Sequence, residues 1–186
     1  MYEKQIIYKE AKIMDAMENL LTRRSIRKYK PQQITDAELE AVLNAGKYAP
    51  KARGAQSPLM VAVQNPEDIA LMSRLNARAW DKENIDPFFG APTVIVVFGK
   101  AGHPNCVKDA SLVLGNLLLA AHAIGLGACW INRADDTFES PEGRELLKKW
   151  GIEGDWVGVG NCILGYPDCE PPKPAPRREG YAVVIK

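Results

Sequence analysis

Between Asn105 and Ile124 the chain carries a stretch that is apolar around most of a helical circumference. At 3.6 residues per turn, Ala110, Val113, Leu117, Ala120 and Ile124 form one stripe; Leu114, Leu118 and Ala121 form a second. A helix apolar on two faces has to be covered from two sides. A bilayer could cover it, but a span needs about 20 mostly apolar residues, and Ser111, Asn116 and His122 interrupt this one. The stretch therefore reads as a buried central helix ended by Gly125 and Gly127, and no membrane partner is expected.

The rest of the pattern supplies something to cover it. Thr93 to Phe98 (TVIVVF) is β-branched or apolar throughout, as in a strand buried on both faces. Leu59 to Val63, Ala128 to Ile131 and Trp156 to Leu164 read as further strands, and Tyr181 to Ile185 is strand-like. Met14 to Leu21 reads as a short helix. Thr35 with Glu38 forms a capping box opening a helix that ends before Pro50. Asn65-Pro66 and Ser140-Pro141 each open another, the second running to Trp150. The alternation is not a clean βαβ series. It predicts an α+β fold of three layers, α/β/α, with a mostly antiparallel or mixed sheet of four to five strands. Residues 1–186 read as one domain, with an N-terminal extension over 1–13 and a Pro-rich arm and strand over 167–186.

Lys plus Arg number 24 against 23 Asp plus Glu, a net charge of +1 that argues against a nucleic-acid partner. No Cys-x-x-Cys pair or Cys/His array suggests a metal. Met1 to Lys12 lacks the apolar core of a secretory signal; with cysteines that read as reduced thiols, this leads to an expectation of a cytoplasmic protein.

Chemistry concentrates in four segments. In Arg23 to Lys30, five of eight residues are basic. In an extended chain Arg23, Ser25 and Arg27 share a face and could converge on one phosphate; a solvated basic face or a nucleic-acid patch fits the charge equally. The loop Ala49 to Pro58 could line a planar ligand, with Gln56 offering a donor and an acceptor, or could be plain surface. Gly125 to Arg133 brings backbone N–H groups to the end of a strand, without a dinucleotide fingerprint. Lys173, Arg177 and Arg178 form a second basic cluster on the arm. No nucleophile–base pair is supported, so an enzyme here would draw its reactive group from a cofactor.

Together these segments resemble the nitroreductase family of flavin enzymes. Arg23-Arg24-Ser25-Ile26-Arg27-Lys28-Tyr29 is similar to its R-R-S-x-R-x-[FY] signature. Gly115 to Ile131 is similar to its N-x-x-L-A-A-H-A-L-G-L-G-x-x-W block, and Gly165-Tyr166-Pro167 to its G-Y-P terminus. The resemblance implies a homodimer with FMN at the interface, the C-terminal arm extending to the partner subunit, and the central helix as a candidate dimer core. It implies a ping-pong cycle in which NADH or NADPH reduces the flavin and a nitroaromatic, quinone or similar acceptor reoxidises it. Arg23, Ser25 and Arg27 would hold the phosphate and ribityl chain, and Arg177 would reach the phosphate. Backbone at Ile131, Asn132 and Arg133 would approach the ring near N5. Pro50, Lys51, Ala52, Arg53 and Gln56 would come from the other subunit, and Arg24 and Trp130 count as further contacts. No side chain is assigned a catalytic role. The loop departs from the family's A-P-S-x-x-N-x-Q-P-W at Lys51, Gly54 and Pro58, and Asn132-Arg133 stands where a small Gly is common. The alternatives are a flavin-holding protein with little turnover, or a specialised flavin reaction such as flavin cleavage or dehalogenation.

Overall fold

A computed structural model describes residues 14–186. The extension over 1–13, and the signal-segment reading made there, lie outside the described residues. The elements in chain order are α1 (Ala16–Thr22), α2 (Asp36–Lys47), β1 (Leu59–Val63), α3 (Pro66–Arg78), β2 (Thr93–Lys100), α4 (Cys106–Ala123), β3 (Gly127–Ile131), α5 (Ala134–Glu139), α6 (Pro141–Lys149) and β4 (Trp156–Gly165).

The four strands lie in the order β1-β2-β4-β3. All three pairings are antiparallel, which settles the open choice between an antiparallel and a mixed sheet. A single parallel bridge, Ser25 to Ala128, extends the sheet beyond β3. β2 sits inside the sheet and is buried over Thr93–Gly99. Its side chains alternate between two cores, as the strand period of two requires. Val94, Val96 and Phe98 join the core shared with α3, α5 and α6. Ile95 and Val97 join the core shared with α2 and α4. The sheet is thus the middle of the three expected layers.

The helix starts follow the sequence. Thr35 Oγ1 accepts from the Glu38 amide at 3.3 Å while Glu38 Oε2 accepts from the Thr35 amide at 2.8 Å, completing the capping box. Glu38 also accepts from the Tyr166 hydroxyl at 2.7 Å, tying α2 to the end of β4. Burial pushes its carboxyl up, but the Tyr166 and Thr35 hydrogen bonds outweigh it and hold Glu38 below the usual value.

α4 is long and apolar enough to cross a membrane on length and composition alone. Its packing is that of a core helix: Ala110, Val113, Leu114, Leu117 and Ala121 are buried on the sheet side. Val107 and Leu112, on its remaining surface, are 52% and 47% exposed. The short helix α5 was not foreseen. It follows a left-handed residue, Arg133, that carries no side-chain cap. The strand-like Tyr181–Ile185 forms no strand: residues 168–186 are exposed, and this segment has no ladder partner among the described residues. A strand is stable only beside another strand, so local propensity cannot form one there.

Candidate functional site

The basic segment is not a free surface run. Ser25 bridges Ala128, and the Ile26 amide donates to the Ala128 carbonyl at 3.1 Å. Further on, Lys30 N–H donates to Tyr166 O at 2.9 Å and Asp168 N–H to Lys28 O at 3.0 Å. The segment is clamped in extended form between the start of β3 and the chain that leaves β4. Ile26 and Tyr29 are buried, and the Tyr29 hydroxyl donates to Ile26 O at 2.6 Å. Gly127 makes this close approach possible, since a Cβ there would meet Ile26 Cγ2 at 2.9 Å. Arg23 and Ser25 are half-buried and Arg27 is exposed. Arg24 folds back, its Nη1 donating to Leu21 O and Arg23 O at 2.9 and 2.6 Å.

Arg23, Arg24 and Arg27 form no ion pair among the described residues. Among the described residues, the buried side-chain polar atoms without a partner are Asn19 Oδ1, Arg23 Nη1, Arg24 Nε, Trp130 Nε1 and Asn161 Oδ1. They come from α1 and the residues after it, and from the adjacent strands β3 and β4. The two asparagine oxygens are acceptors; Arg23 Nη1 and Arg24 Nε are donors on adjacent residues, and since a buried donor left unpaired costs about 1–3 kcal/mol, more when charged, this pair fits an anionic ligand that would satisfy it. A phosphate is such an anion.

His122, on α4, faces the same region. Its Nε2 lies 3.0 Å from Thr22 Oγ1, whose own proton goes to Glu18 O at 2.6 Å. The ring therefore donates through Nε2–H. Burial first, then the charges of Arg23 and Arg24, push His122 below its ordinary 6.5. The fold favours the neutral ring, so the unfolded chain binds the extra proton. Stability is full above the ordinary value and falls as pH drops below about 6.5. Urea midpoints measured between about pH 7 and pH 5 should fall more steeply for the wild type than for His122→Gln.

The loop after α2 holds a 3-10 turn, Ala52–Gly54, with Arg53 at φ 55 and Gly54 at φ 66. Asp109, only 3% exposed on α4, anchors it. Its Oδ1 accepts from the Ala52 amide at 3.1 Å and its Oδ2 from Ser57 Oγ at 3.5 Å. The Lys51 ammonium donates to the Lys47 carbonyl at 2.6 Å, so it serves the end of α2. Pro50, Arg53 and Gln56 are exposed. Asp109→Ala should free the loop at a cost of about 1–3 kcal/mol, read as faster hydrogen exchange at the Ala52 amide and faster proteolysis between residues 50 and 58.

At the other end of β3 the backbone turns sharply. Arg133 sits at φ 67, a conformation that suits glycine. Asn76 of α3, fully buried, donates through Nδ2 to Asn132 O at 2.7 Å and accepts from Arg133 Nε at 3.3 Å. The Arg133 guanidinium lies 4.4 Å from the centre of the Trp80 ring. Asn161 Nδ2 donates to Ile131 O at 3.3 Å. Trp130 is half-buried against Gly160.

A family model described as "Nitroreductase family" matches residues 20–166. The chain belongs to the nitroreductase family. A curated relative from Archaeoglobus fulgidus, named "Putative NADH dehydrogenase/NAD(P)H nitroreductase", is 31% identical over 159 residues, spanning 84% of this chain and 87% of that protein. A crystal structure of a nitroreductase with bound FMN from Bacteroides fragilis superposes with a TM-score of 0.84 at 26% identity, over 95% of this chain and all of that one. Iodotyrosine deiodinase bound to FMN and 3-iodo-L-tyrosine shares the fold, with a TM-score of 0.71 at 23% identity over 91% of this chain and 97% of that one.

Within the family frame, the structure brings the Arg23–Arg27 segment against the start of β3, one strand length from Ile131–Arg133. It does not bring Arg177 to them: that residue is exposed on the arm, without a hydrogen bond or ion pair among the described residues. Asn76 and Asp109 were missed by sequence reasoning. Asp109 leaves a trace, the one carboxylate of a mostly apolar helix, in its first turn. Asn76 leaves none, since a helical Asn reads as surface.

Proposed function

We propose that this protein transfers hydride from NADH or NADPH to a small oxidised acceptor, a nitroaromatic, quinone or similar compound, in a ping-pong cycle. As a member of its family it is an FMN-dependent oxidoreductase. The observation that carries the reading is the pair of buried, unpartnered donors, Arg23 Nη1 and Arg24 Nε, in the segment clamped onto β3. Arg23, Ser25 and Arg27 would hold the phosphate and ribityl chain. Ile131–Arg133 would present backbone to the ring, in a turn fixed by Asn76 and Asn161. When bound, FMN supplies a two-electron carrier at its N5, a chemistry absent from this chain's own side chains.

The site is completed in this reading by a second copy of the chain, which would contribute the Pro50–Gln56 loop and Arg177 on its arm. Support comes from the apolar surface left open: Met17, Leu20 and Leu21 on α1 are 60%, 55% and 67% exposed, and Val107 and Leu112 of α4 are exposed as well. A single protomer in water would not keep such a surface without cost. All four cysteines are free thiols, in keeping with the cytoplasmic location we propose. Sedimentation of the purified protein should show a dimer carrying one FMN per protomer; a monomer that retains FMN would contradict the interface site. A flavin-holding protein with little turnover is the second reading. It draws on Lys51, whose ammonium is tied to the Lys47 carbonyl.

A further inference from the structure

We propose that Arg133 is an anion-recognition residue beside the acceptor position, selecting a substrate that carries a carboxylate or a phosphate. The inference rests on the FMN reading of the site and deepens it by naming the chemistry of the molecule that meets the flavin.

The backbone supplies the first reason. At φ 67 a residue with a Cβ is strained and glycine is not. An arginine held there points to a use for its side chain. The side chain is also pre-arranged. Its Nε donates to Asn76 Oδ1 at 3.3 Å, and Asn76 is itself locked by its 2.7 Å bond to Asn132 O. The guanidinium lies over Trp80 at 4.4 Å. Among the described residues neither terminal nitrogen of Arg133 has a hydrogen-bond acceptor or an acidic partner. A planar fork held at its base and over one face, with its outer edge open, suits a carboxylate or phosphate bound through two parallel hydrogen bonds. Lys82 adds a second cation, its ammonium 4.2 Å from the same ring. The nearby acids Asp81, Glu83, Asp135 and Asp136 are exposed, and none is within ion-pair distance of Arg133. Asn132–Arg133 is the same backbone that the FMN reading places at the ring, so in that reading the fork would stand within one side-chain length of the reacting position.

The anion has two possible sources: a carboxylate on the acceptor, or a phosphate of the nicotinamide dinucleotide. The test titrates the holoenzyme with benzoate and with its neutral isostere benzamide, following the flavin absorbance. It then measures flavin reduction by NADH and NADPH in stopped flow. Benzoate should bind about tenfold or more tightly than benzamide in the acceptor case. Arg133→Gly, which suits the left-handed backbone, should erase that preference, and Arg133→Lys should restore part of it. A loss confined to benzoate assigns the anion to the acceptor. A loss confined to dinucleotide affinity assigns it to the donor's phosphate. Equal binding of benzoate and benzamide by the wild type, with dinucleotide affinity unchanged in Arg133→Gly, overturns the inference alone. A purified protein that neither carries nor takes up flavin overturns both this inference and the FMN reading.

Discussion

Arg23→Ala is expected to weaken FMN binding by roughly 30- to 1,000-fold, about 2–4 kcal/mol, while leaving the apoprotein within about 1 kcal/mol of wild-type stability. The two halves of the expectation come from one observation. Arg23 Nη1 is buried and has no acceptor among the described residues, so in the empty protein one donor of this half-buried guanidinium is desolvated and unpaired. Deleting it removes that cost along with some packing of its stem. In the loaded protein, with Arg23 holding the phosphate as proposed, the same deletion would remove a charge-assisted bond. An arginine that served the fold through a structural ion pair would behave otherwise: stability and affinity would fall together. Fluorescence titration of the apoprotein with FMN reads the first quantity, and urea unfolding reads the second. The neighbouring pair Lys28–Asp168, at 3.0 Å, is a useful contrast. Its side chains are 68% and 46% exposed, so breaking it should change stability little.

Gly158→Ala is expected to cost more in stability than any other substitution considered. Gly158 lies in β4 opposite Phe98, while Gly160 lies opposite Val97. The intervening Val159 is therefore an extra residue, a β-bulge that kinks the strand. A Cβ on Gly158 would run into the carbonyl of Ala134 and the amide of Asp135. Both are backbone atoms at the start of α5, so no flexible side chain can move aside. Overpacking of this kind costs about 1–3 kcal/mol and occasionally more, and a backbone clash belongs at the upper end. The consequence reaches the site, because Ala134 follows Arg133 directly. To accept the methyl group, α5 must lift from β4 and carry the Ile131–Arg133 turn with it. Loss of stability in chemical denaturation should be accompanied by weaker FMN binding. A stable Gly158→Ala protein with wild-type FMN affinity would show that the α5–β4 contact does not set the turn.

Much of this arrangement could be read in advance, because it depends on short-range rules. The TVIVVF run of β2 can only be buried on both faces, and the Thr35–Glu38 box is written in two residues three apart. In the Arg23–Arg27 segment the parity of an extended chain separates the buried Ile26 from the exposed Arg27. What could not be read depends on distant partners. The fold of α5 rests on Gly158, reached through a bulge some twenty residues later. The locking of Asn132 and Arg133 depends on Asn76, which is more than fifty residues earlier and looks like surface. Tyr181–Ile185 has the composition of a strand, yet composition does not supply a neighbour. The outer face of α4 reads as core in sequence and stands partly open in the protomer, since periodicity reports that a face must be covered and not by what.

Anaerobic titration of the purified protein with NADH and with NADPH, followed in visible absorbance, tests the account most directly. The expected result is a yellow protein whose flavin band bleaches on addition of at least one dinucleotide and returns when a nitroaromatic or quinone is admitted. A flavin band that persists through excess NADH and NADPH, or a protein that takes up no FMN, would contradict it.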